Sequence, residues 1–397
     1  MSTNPVHSHS QSLSLSDSEE SLASTEETPQ QVNDFIQKSH PMPPLNSNQQ
    51  EILRFNPDQL NLNEKRITYL KPNAKQTASE KLEKQTAFAF QQGEILKKIQ
   101  PGKDLNINFQ NLEQPSFSTD RVGIHHTQGH RMDDEDSYFS LPITLNIKEE
   151  TITAQLHGVC DGHQDEKRAA DYVAHYMPTR LSKLLSQSNE LNGETITSAL
   201  SHVIAELDTA LQTLQPIAIL KNRPAQGGTT LVAALEIGGA IYLPNVGDSR
   251  ALLVKENTSY QLTEDAKPGD PRFKKGITRI GQKVFQVRGQ YRVGGTLAVA
   301  RDIGLPTVPS EPKITCIRNE KEQDKPDQGK IFFQEGDHLI LACDGLWDVV
   351  SNEDVATLVR TLSSQHKCPP GTIAAYLVQT AHSSGSRDNI TVLALKL

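Results

Sequence analysis

The 397-residue chain is acidic, with a formal net charge of -8 at pH 7, and no basic block stands out in it. This charge balance argues against a protein that binds nucleic acid or an acidic membrane surface. No apolar stretch is long enough to span a bilayer, and the N-terminus lacks the basic start and apolar core of a secretory signal. We therefore predict a cytoplasmic protein without a membrane span, while signal-independent export stays open.

The cysteines are widely scattered and show neither zinc-knuckle nor redox spacing. Two of them, Cys160 and Cys343, end apolar runs directly before Asp161 and Asp344. This position favours buried free thiols in a reducing compartment.

The first part of the chain differs in composition from the rest. Residues 1–48 are rich in Ser, Thr, Gln and Pro and carry acidic clusters, so we predict a disordered tail that cannot offset its chain entropy by burial. Residues 49–116 have a mixed composition with a loosely helical pattern at 78–99, which predicts a partly helical extension. The pattern leaves two roles open for this extension: docking on the main domain and binding a protein partner.

From about residue 117 strand and helix signals alternate. The predicted strands are residues 152–160, 229–237, 240–246, 251–254, 338–343 and 390–395, and Gly238-Gly239 between the second and third of them favours a hairpin turn. The predicted helices are residues 166–185, 196–214, 355–362 and 371–382, and Ser351 with Asp354 gives the third a capping-box start. Hairpins with inserted helices indicate an α+β sandwich and not a doubly wound parallel sheet.

Acidic residues recur beside the predicted strands. They are Glu135, Asp136, Asp161, Asp344 and Asp388. A carboxylate at a strand end must be paired, hydrogen-bonded or bound to a metal, because burying it bare is too costly. Several such groups without matching cations indicate a site for hard divalent ions such as Mg²⁺ or Mn²⁺.

These carboxylates suit a pair of metal ions. Two ions about 3.5–4 Å apart can clamp both oxygens of an in-line displacement at phosphorus and lower the pKa of a bound water. Asp161 is the candidate bridge, and the following Gly162 lets its carbonyl approach a metal. Glu135 is the candidate ligand of one ion, and Asp344 and Asp388 of the other.

Two further residues suit phosphate chemistry. Arg131 can grip a phosphate in a fork, and His163 can protonate a leaving alkoxide. Each residue alone has a commoner explanation as a turn, a surface group or a neutralising charge, but the recurrence of carboxylates at strand ends favours a joint function. His125, His126 and His130 lack a helical pair or accompanying cysteines, which argues against a zinc site.

Motifs in one order over residues 117–397 resemble the metal-dependent serine/threonine phosphatases of the protein phosphatase 2C type. The matching motifs are Arg131 before Glu135-Asp136, Asp161-Gly162-His163, Gly228-Thr229-Thr230, residues 245–250, residues 262–268, residues 344–348 and Ser386-Arg387-Asp388-Asn389. One such motif is weak support, but the ordered set is specific.

The resemblance implies an α+β catalytic domain at 117–397, with a central β-sandwich of two antiparallel sheets flanked by helices and a binuclear metal site at one edge. It implies two Mn²⁺ or Mg²⁺ ions bridged by Asp161, with Glu135 and the Gly162 carbonyl on one ion and Asp344 and Asp388 on the other. It implies that water attacks phosphoserine or phosphothreonine of protein substrates directly, with no phosphoenzyme. The catalytic residues would be Arg131 for the phosphoryl group, His163 as general acid and Asp136 to orient the attacking water; Asp248 would be structural.

The chain departs from the family pattern in the region 276–312, which forms the flap of such phosphatases. Leu305 stands where many members carry an Asp for a third, weaker metal, and Asp302 is displaced along the chain from that position. Two ions are therefore expected and the third is in doubt. The departure also motivates an alternative function, a catalytically weak phosphatase-like regulator or phosphoprotein-binding module. Hydrolysis of small phosphoesters is a third interpretation.

Overall fold

The computed structural model describes residues 112–164, 167–220, 227–322 and 330–397. The predicted tail at 1–48 and the extension up to residue 111 lie outside the described residues. Where the chain is described, two sheets face each other and helices cover their outer faces.

The first sheet has six strands in the order β1, β2, β15, β14, β8, β9. They are β1 (Phe117–Ser118), β2 (Val122–Thr127), β8 (Arg250–Val254), β9 (Ser259–Gln261), β14 (His338–Ala342) and β15 (Ile390–Lys396). All neighbouring strands in this sheet run antiparallel.

The second sheet has the order β13, β12, β7, β6, β4, β3, and the short β5 pairs with the end of β4. Its strands are β3 (Asp136–Ile147), β4 (Glu150–His163), β5 (Gly228–Thr229), β6 (Leu231–Ile237), β7 (Ala240–Val246), β12 (Lys313–Asn319) and β13 (Phe332–Phe333). Every pairing is antiparallel except that of β12 with β13 at the edge. The predicted antiparallel sandwich is confirmed, with this one parallel edge pair added.

The core has layers because both faces of each sheet are covered. In β14, Leu339 and Leu341 face the other sheet, whereas Ile340 and Ala342 face the outer helices. Successive strand residues point to opposite faces, so a strand covered on both sides becomes a continuous apolar run. The uninterrupted run at 338–343 has this origin.

Two helices, α1 (Arg168–Ser186) and α2 (Gly193–Leu220), cover the second sheet. The first sheet is covered by α4 (Asp344–Trp347), α5 (Asn352–Arg360) and α6 (Pro370–Ser383). The Ser351 hydroxyl accepts a hydrogen bond from the Asp354 N–H at 3.1 Å, which confirms the predicted cap. The helix predicted at 355–362 therefore begins earlier, and after Arg360 the chain continues as a short π-helix, Thr361–Gln365.

The flap region predicted at 276–312 contains the end of helix α3 (Pro271–Arg279), the hairpin of β10 (Val284–Val287) with β11 (Gln290–Val293), and the chain that returns to β12. It has a small apolar cluster of its own, which includes Ile277, Val299 and Leu305. Among the described residues, no helix has both the length and the apolar character that crossing a bilayer requires.

Candidate active site

Strand register brings the predicted residues of the second sheet to one edge. Asp136, the first residue of β3, pairs with Asp161 near the end of β4. Asp161 and His163 are two positions apart in β4, so their side chains point to the same face of the sheet.

The first sheet supplies carboxylates at the same edge. Asp344 directly follows the apolar run of β14 as the first residue of α4, and Asp388 lies just before β15. Carboxylate oxygens of Asp161, Asp248 and Asp344 lie within 4.8 Å of one another. The same spacing holds for Asp136, Asp161 and the Cys343 thiol. The two sheets thus meet in one acidic cluster.

Backbone contacts hold Glu135 at this edge. Its N–H donates to Asn389 Oδ1 at 3.0 Å, and its carbonyl accepts from the Gly162 N–H at 3.1 Å. A Cβ on Gly162 would lie 2.4 Å from the Glu135 carbonyl oxygen, so only glycine permits this approach. The glycine is therefore required by chain packing.

The carboxylates disfavour one another's ionisation. Desolvation, reinforced by the charges of Asp136 and Asp344, raises the pKa of Asp161 well above its ordinary value. Burial raises the pKa of Asp136 to about 6, and burial together with the Asp344 charge raises that of Asp248 to about 7. Within the described part of the chain, the buried Asp136 Oδ1 has no hydrogen-bond partner. A hard divalent cation suits such a cluster, because its positive charge would offset the repulsion among the carboxylate oxygens.

Two cations approach the cluster from its sides. The Lys267 ammonium lies 2.7 Å from Asp248 Oδ2 and 3.2 Å from Asp344 Oδ2. Burial alone would lower the pKa of Lys267, but the charges of these carboxylates raise it overall. The Arg131 guanidinium donates to Asp388 Oδ2 at 2.6 Å, and its side chain is about half exposed. This exposure leaves Arg131 accessible to a phosphate at the mouth of the site.

A chain of polar contacts supports Asp136 from behind. The Thr391 hydroxyl donates to Asp136 Oδ2 at 2.6 Å and lies 2.8 Å from His126 Nδ1. His126 Nε2 lies 3.0 Å from Asp134 Oδ2, which also accepts from the Lys167 ammonium at 2.9 Å. Burial alone would raise the pKa of Asp134, but His126 and Lys167 lower it to about 2. Asp136 is therefore linked through Thr391 to His126, and through His126 to Asp134 and Lys167.

The three histidines considered for zinc have different neighbours. His125 Nε2 lies 3.3 Å from Glu113 Oε2, while His126 belongs to the contacts behind Asp136. The His130 ring packs against His382 with centroids 4.5 Å apart.

His163 contacts a flap carboxylate that the sequence pattern leaves unassigned. Its Nε2 lies 2.8 Å from Asp302 Oδ2, and Asp302 is fully buried. The Leu305 side chain is buried in the apolar cluster of the flap, and its N–H donates to Asp302 Oδ1 at 2.8 Å. The flap therefore contacts His163 through the Asp302 side chain.

The structure brings the carboxylates of Asp136, Asp161 and Asp344 into one cluster, and it adds residues to which the sequence gives no role in the site. Asp388 is joined to Arg131, and Glu135 is held at the edge by its backbone. Asp248, which we assign from sequence to a structural turn, lies in the acidic cluster beside Asp161 and Asp344. Lys267 falls in a matching motif but has no role assigned from sequence. Thr391 carries no sequence signal of its own, and Asp302 is singled out from sequence only as displaced from the position of a third metal. Their contacts with Asp136 and His163 join residues that are distant in the chain. The whole arrangement can bind hard cations, accept a phosphate and deliver a proton.

Comparison with known proteins identifies the family of this chain. The family pattern described as Protein phosphatase 2C matches residues 120–390. The rice protein "Probable protein phosphatase 2C member 13, mitochondrial" is 32% identical over 283 residues, covering 70% of this chain and 68% of that protein. "Probable protein phosphatase 2C 76" of Arabidopsis thaliana is 33% identical over 276 residues, covering 68% and 57%. The chain thus spans only part of these relatives.

Solved structures share the fold. The serine-threonine phosphatase 2C from Toxoplasma gondii superposes with a TM-score of 0.55 at 20% identity, covering 71% of this chain and 96% of that one. A sex determining protein of C. elegans gives a TM-score of 0.56 at 21% identity, covering 70% and 65%. At these identities the likeness concerns the architecture.

Proposed function

Because the chain belongs to the protein phosphatase 2C family, we propose that it is a metal-dependent protein serine/threonine phosphatase. Its reaction is the hydrolysis of phosphoserine and phosphothreonine esters in proteins by direct attack of water. The observation that carries this proposal is the cluster of Asp136, Asp161, Asp248 and Asp344 at the sandwich edge. Such a group of carboxylates is needed for metal ions and would be a liability in a purely structural role.

The cofactor we propose is a pair of Mn²⁺ or Mg²⁺ ions. Asp161 would bridge the pair, Glu135 and the Gly162 carbonyl would hold one ion, and Asp344 and Asp388 the other. When bound, the ions would neutralise phosphoryl oxygens and lower the pKa of the attacking water. The raised pKa of Asp161 supports this assignment, because a nearby positive charge would offset the burial and the neighbouring carboxylates that disfavour its ionised form.

Three side chains would carry the rest of the reaction. Arg131 binds the phosphoryl group with its planar fork of donors and, as a cation, favours the developing negative charge. Asp136 accepts a hydrogen bond from the attacking water and orients it. His163 donates a proton to the leaving alkoxide, which is a poor leaving group when unprotonated.

A second function is favoured by the flap. Leu305 brings an apolar side chain where many relatives have a carboxylate, which would suit a phosphatase-like regulator that binds phosphoproteins without turnover. Titration with Mn²⁺ in a calorimeter separates the two functions. The phosphatase should bind about two ions per chain, and a chain with Asp161→Asn should bind fewer. A wild-type chain that takes up no Mn²⁺ would favour the regulator.

The location of the protein is also a proposal. We propose the cytoplasm, because Cys160 and Cys343 are buried free thiols of the kind that a reducing compartment preserves. One of the relatives is named as mitochondrial, which is the competing location. Fractionation of cells that produce the full chain would test the proposal, and co-purification with mitochondria would contradict it.

A further inference from the structure

Asp302 is a buried carboxylate whose surroundings point to one task. Its side chain is fully buried, with Oδ2 2.8 Å from His163 Nε2 and Oδ1 accepting a hydrogen bond from the Leu305 N–H. We propose that Asp302 is a positioning residue, which holds the His163 imidazole in the orientation needed to protonate the leaving alkoxide. This inference rests on the proposed phosphatase function and names a residue that the family motifs do not include.

Backbone pairing fixes where Asp302 lies. The adjacent Ile303 exchanges two hydrogen bonds with Thr229: the Ile303 N–H donates to the Thr229 carbonyl at 3.0 Å, and the Thr229 N–H to the Ile303 carbonyl at 3.1 Å. In turn β5 pairs with the end of β4, so that Gly228 lies opposite His163. The end of the flap is thereby joined, through β5, to the strand that carries His163.

The packing around Asp302 leaves room for its carboxylate and little else. A Cβ on Gly228 would lie 2.2 Å from Asp302 Oδ1 and 2.3 Å from Oδ2, so any larger residue there would displace the carboxylate. The Leu305 N–H binds Oδ1, and Oδ2 of the same carboxylate lies 2.8 Å from His163 Nε2. Glycine at 228 is thus a requirement of this contact.

A carboxylate in this place can hold the ring in one orientation. An imidazole that is anchored at one nitrogen presents the other in a fixed direction, as in the histidines of catalytic triads and metal sites. Without the carboxylate the His163 side chain, which is 20% exposed, would have room to adopt other rotamers.

The test compares two substrates that differ in their need for a proton. A phosphothreonine peptide releases an alkoxide, whereas p-nitrophenyl phosphate releases a phenolate that leaves without protonation. We expect Asp302→Ala to lower kcat for the peptide by about 10- to 100-fold, with little change in KM and less than about threefold change for p-nitrophenyl phosphate. Asp302→Asn, which keeps an oxygen toward the ring, should retain part of the activity.

Further variants separate positioning from loss of structure. Gly228→Ala leaves Asp302 present but crowds its carboxylate, so it should show the same substrate-selective loss. The double variant of Asp302→Ala with His163→Ala should be no worse than His163→Ala alone, because both act through one ring. Asp337→Asn is the matched control. Asp337 is buried, its Oδ2 lies 3.1 Å from Lys255 Nζ, and its variant should lose no more activity on one substrate than on the other.

Each outcome decides something. Equal losses on both substrates, or no loss on either, in the folded Asp302 and Gly228 variants would overturn the positioning role while leaving the phosphatase function intact. If Asp302→Ala fails to fold, the nearly isosteric Asp302→Asn and Gly228→Ala decide the question by the same criterion. A folded wild-type chain with Mn²⁺ that hydrolyses neither substrate would overturn the proposed function itself.

Discussion

Asp161 occupies the centre of the acidic cluster, because it is the one carboxylate that belongs to both of the groups with metal-ligand spacing among the described residues. We predict that Asp161→Asn lowers metal-dependent turnover by at least about 1,000-fold, since one neutral oxygen replaces a bridging charge. The measurement is phosphate release at saturating Mn²⁺. Asp120→Asn, an exposed carboxylate in the turn before β2, is the matched control and should remain fully active. Full activity in the Asp161 variant would show that the bridge is assigned to the wrong residue.

At the scale of single residues, the sequence indicates the candidate metal ligands better than the residues that form hydrogen bonds to the site. Asp161, Asp344 and Asp388 are visible because each adjoins an apolar strand. Thr391 is one strand residue among many until the fold places it beside Asp136, 255 positions away. A hydrogen bond between such distant residues depends on tertiary pairing, which local patterns do not encode.

Among the secondary-structure elements, strand β15 connects residues of both sheets at the site. It lies between β2 and β14, and its Thr391 joins Asp136 of β3 to His126 of β2. We predict that Thr391→Val weakens Mn²⁺ binding by about 10-fold or more, because outer hydrogen bonds orient the groups around a metal. Calorimetry measures the affinity. Thr357→Val, on α5, serves as a control for the loss of a hydroxyl, and an unchanged Mn²⁺ affinity in the Thr391 variant would contradict the prediction.

Sequence periodicity predicts the existence and type of most helices and strands, but it predicts their first and last residues less well. The hairpin across Gly238-Gly239 forms where the turn residues predict it, since both glycines adopt a positive φ. By contrast, the helix predicted to start at Val355 begins at Asn352, because the cap sets the first turn and the apolar stripe only starts later. The sequence locates the flap through the family resemblance but does not predict the helix and hairpin inside it, since these elements are short and weakly periodic.

For the whole molecule, the acidic cluster at the sandwich edge makes the free energy of unfolding depend on pH and on bound metal. The pKa values of Asp136, about 6, and Asp248, about 7, are above the unfolded value of 3.8, so the folded chain binds these protons more tightly. Their protonated form stabilises the fold below the folded pKa, and that stability is lost as pH rises from about 4 to about 7. In EDTA, we therefore predict a lower Tm at pH 7.5 than at pH 5.5.

Mn²⁺ should reverse this trend, because a divalent ion binds the deprotonated carboxylates and competes with protons. The gain in Tm on adding Mn²⁺ should reach several degrees at pH 7.5 and be smaller at pH 5.5, since about 1 kcal/mol corresponds to roughly 2–4 °C for a domain of this size. Scanning calorimetry measures both gains, with Asp161→Asn as the control that should gain little. A larger gain at pH 5.5 would contradict the electrostatic account.

At the same scale, sequence predicts the architecture because the family motifs fix the order of strands and the edge where the site lies. The positions of Asp248 and Lys267 within the acidic cluster, and the contact of the flap with His163, become visible only when both sheets and the flap are assembled. They depend on packing between segments far apart in the chain.

The most direct test of metal-dependent phosphatase activity is phosphate release from a phosphothreonine peptide by the purified full chain, first with Mn²⁺ and then with excess EDTA. We predict steady release with Mn²⁺ that stops in EDTA and returns when Mn²⁺ is restored. A folded chain that releases no phosphate with Mn²⁺, or that releases it equally in EDTA, would contradict the assignment of this acidic edge as a metal-dependent phosphatase site.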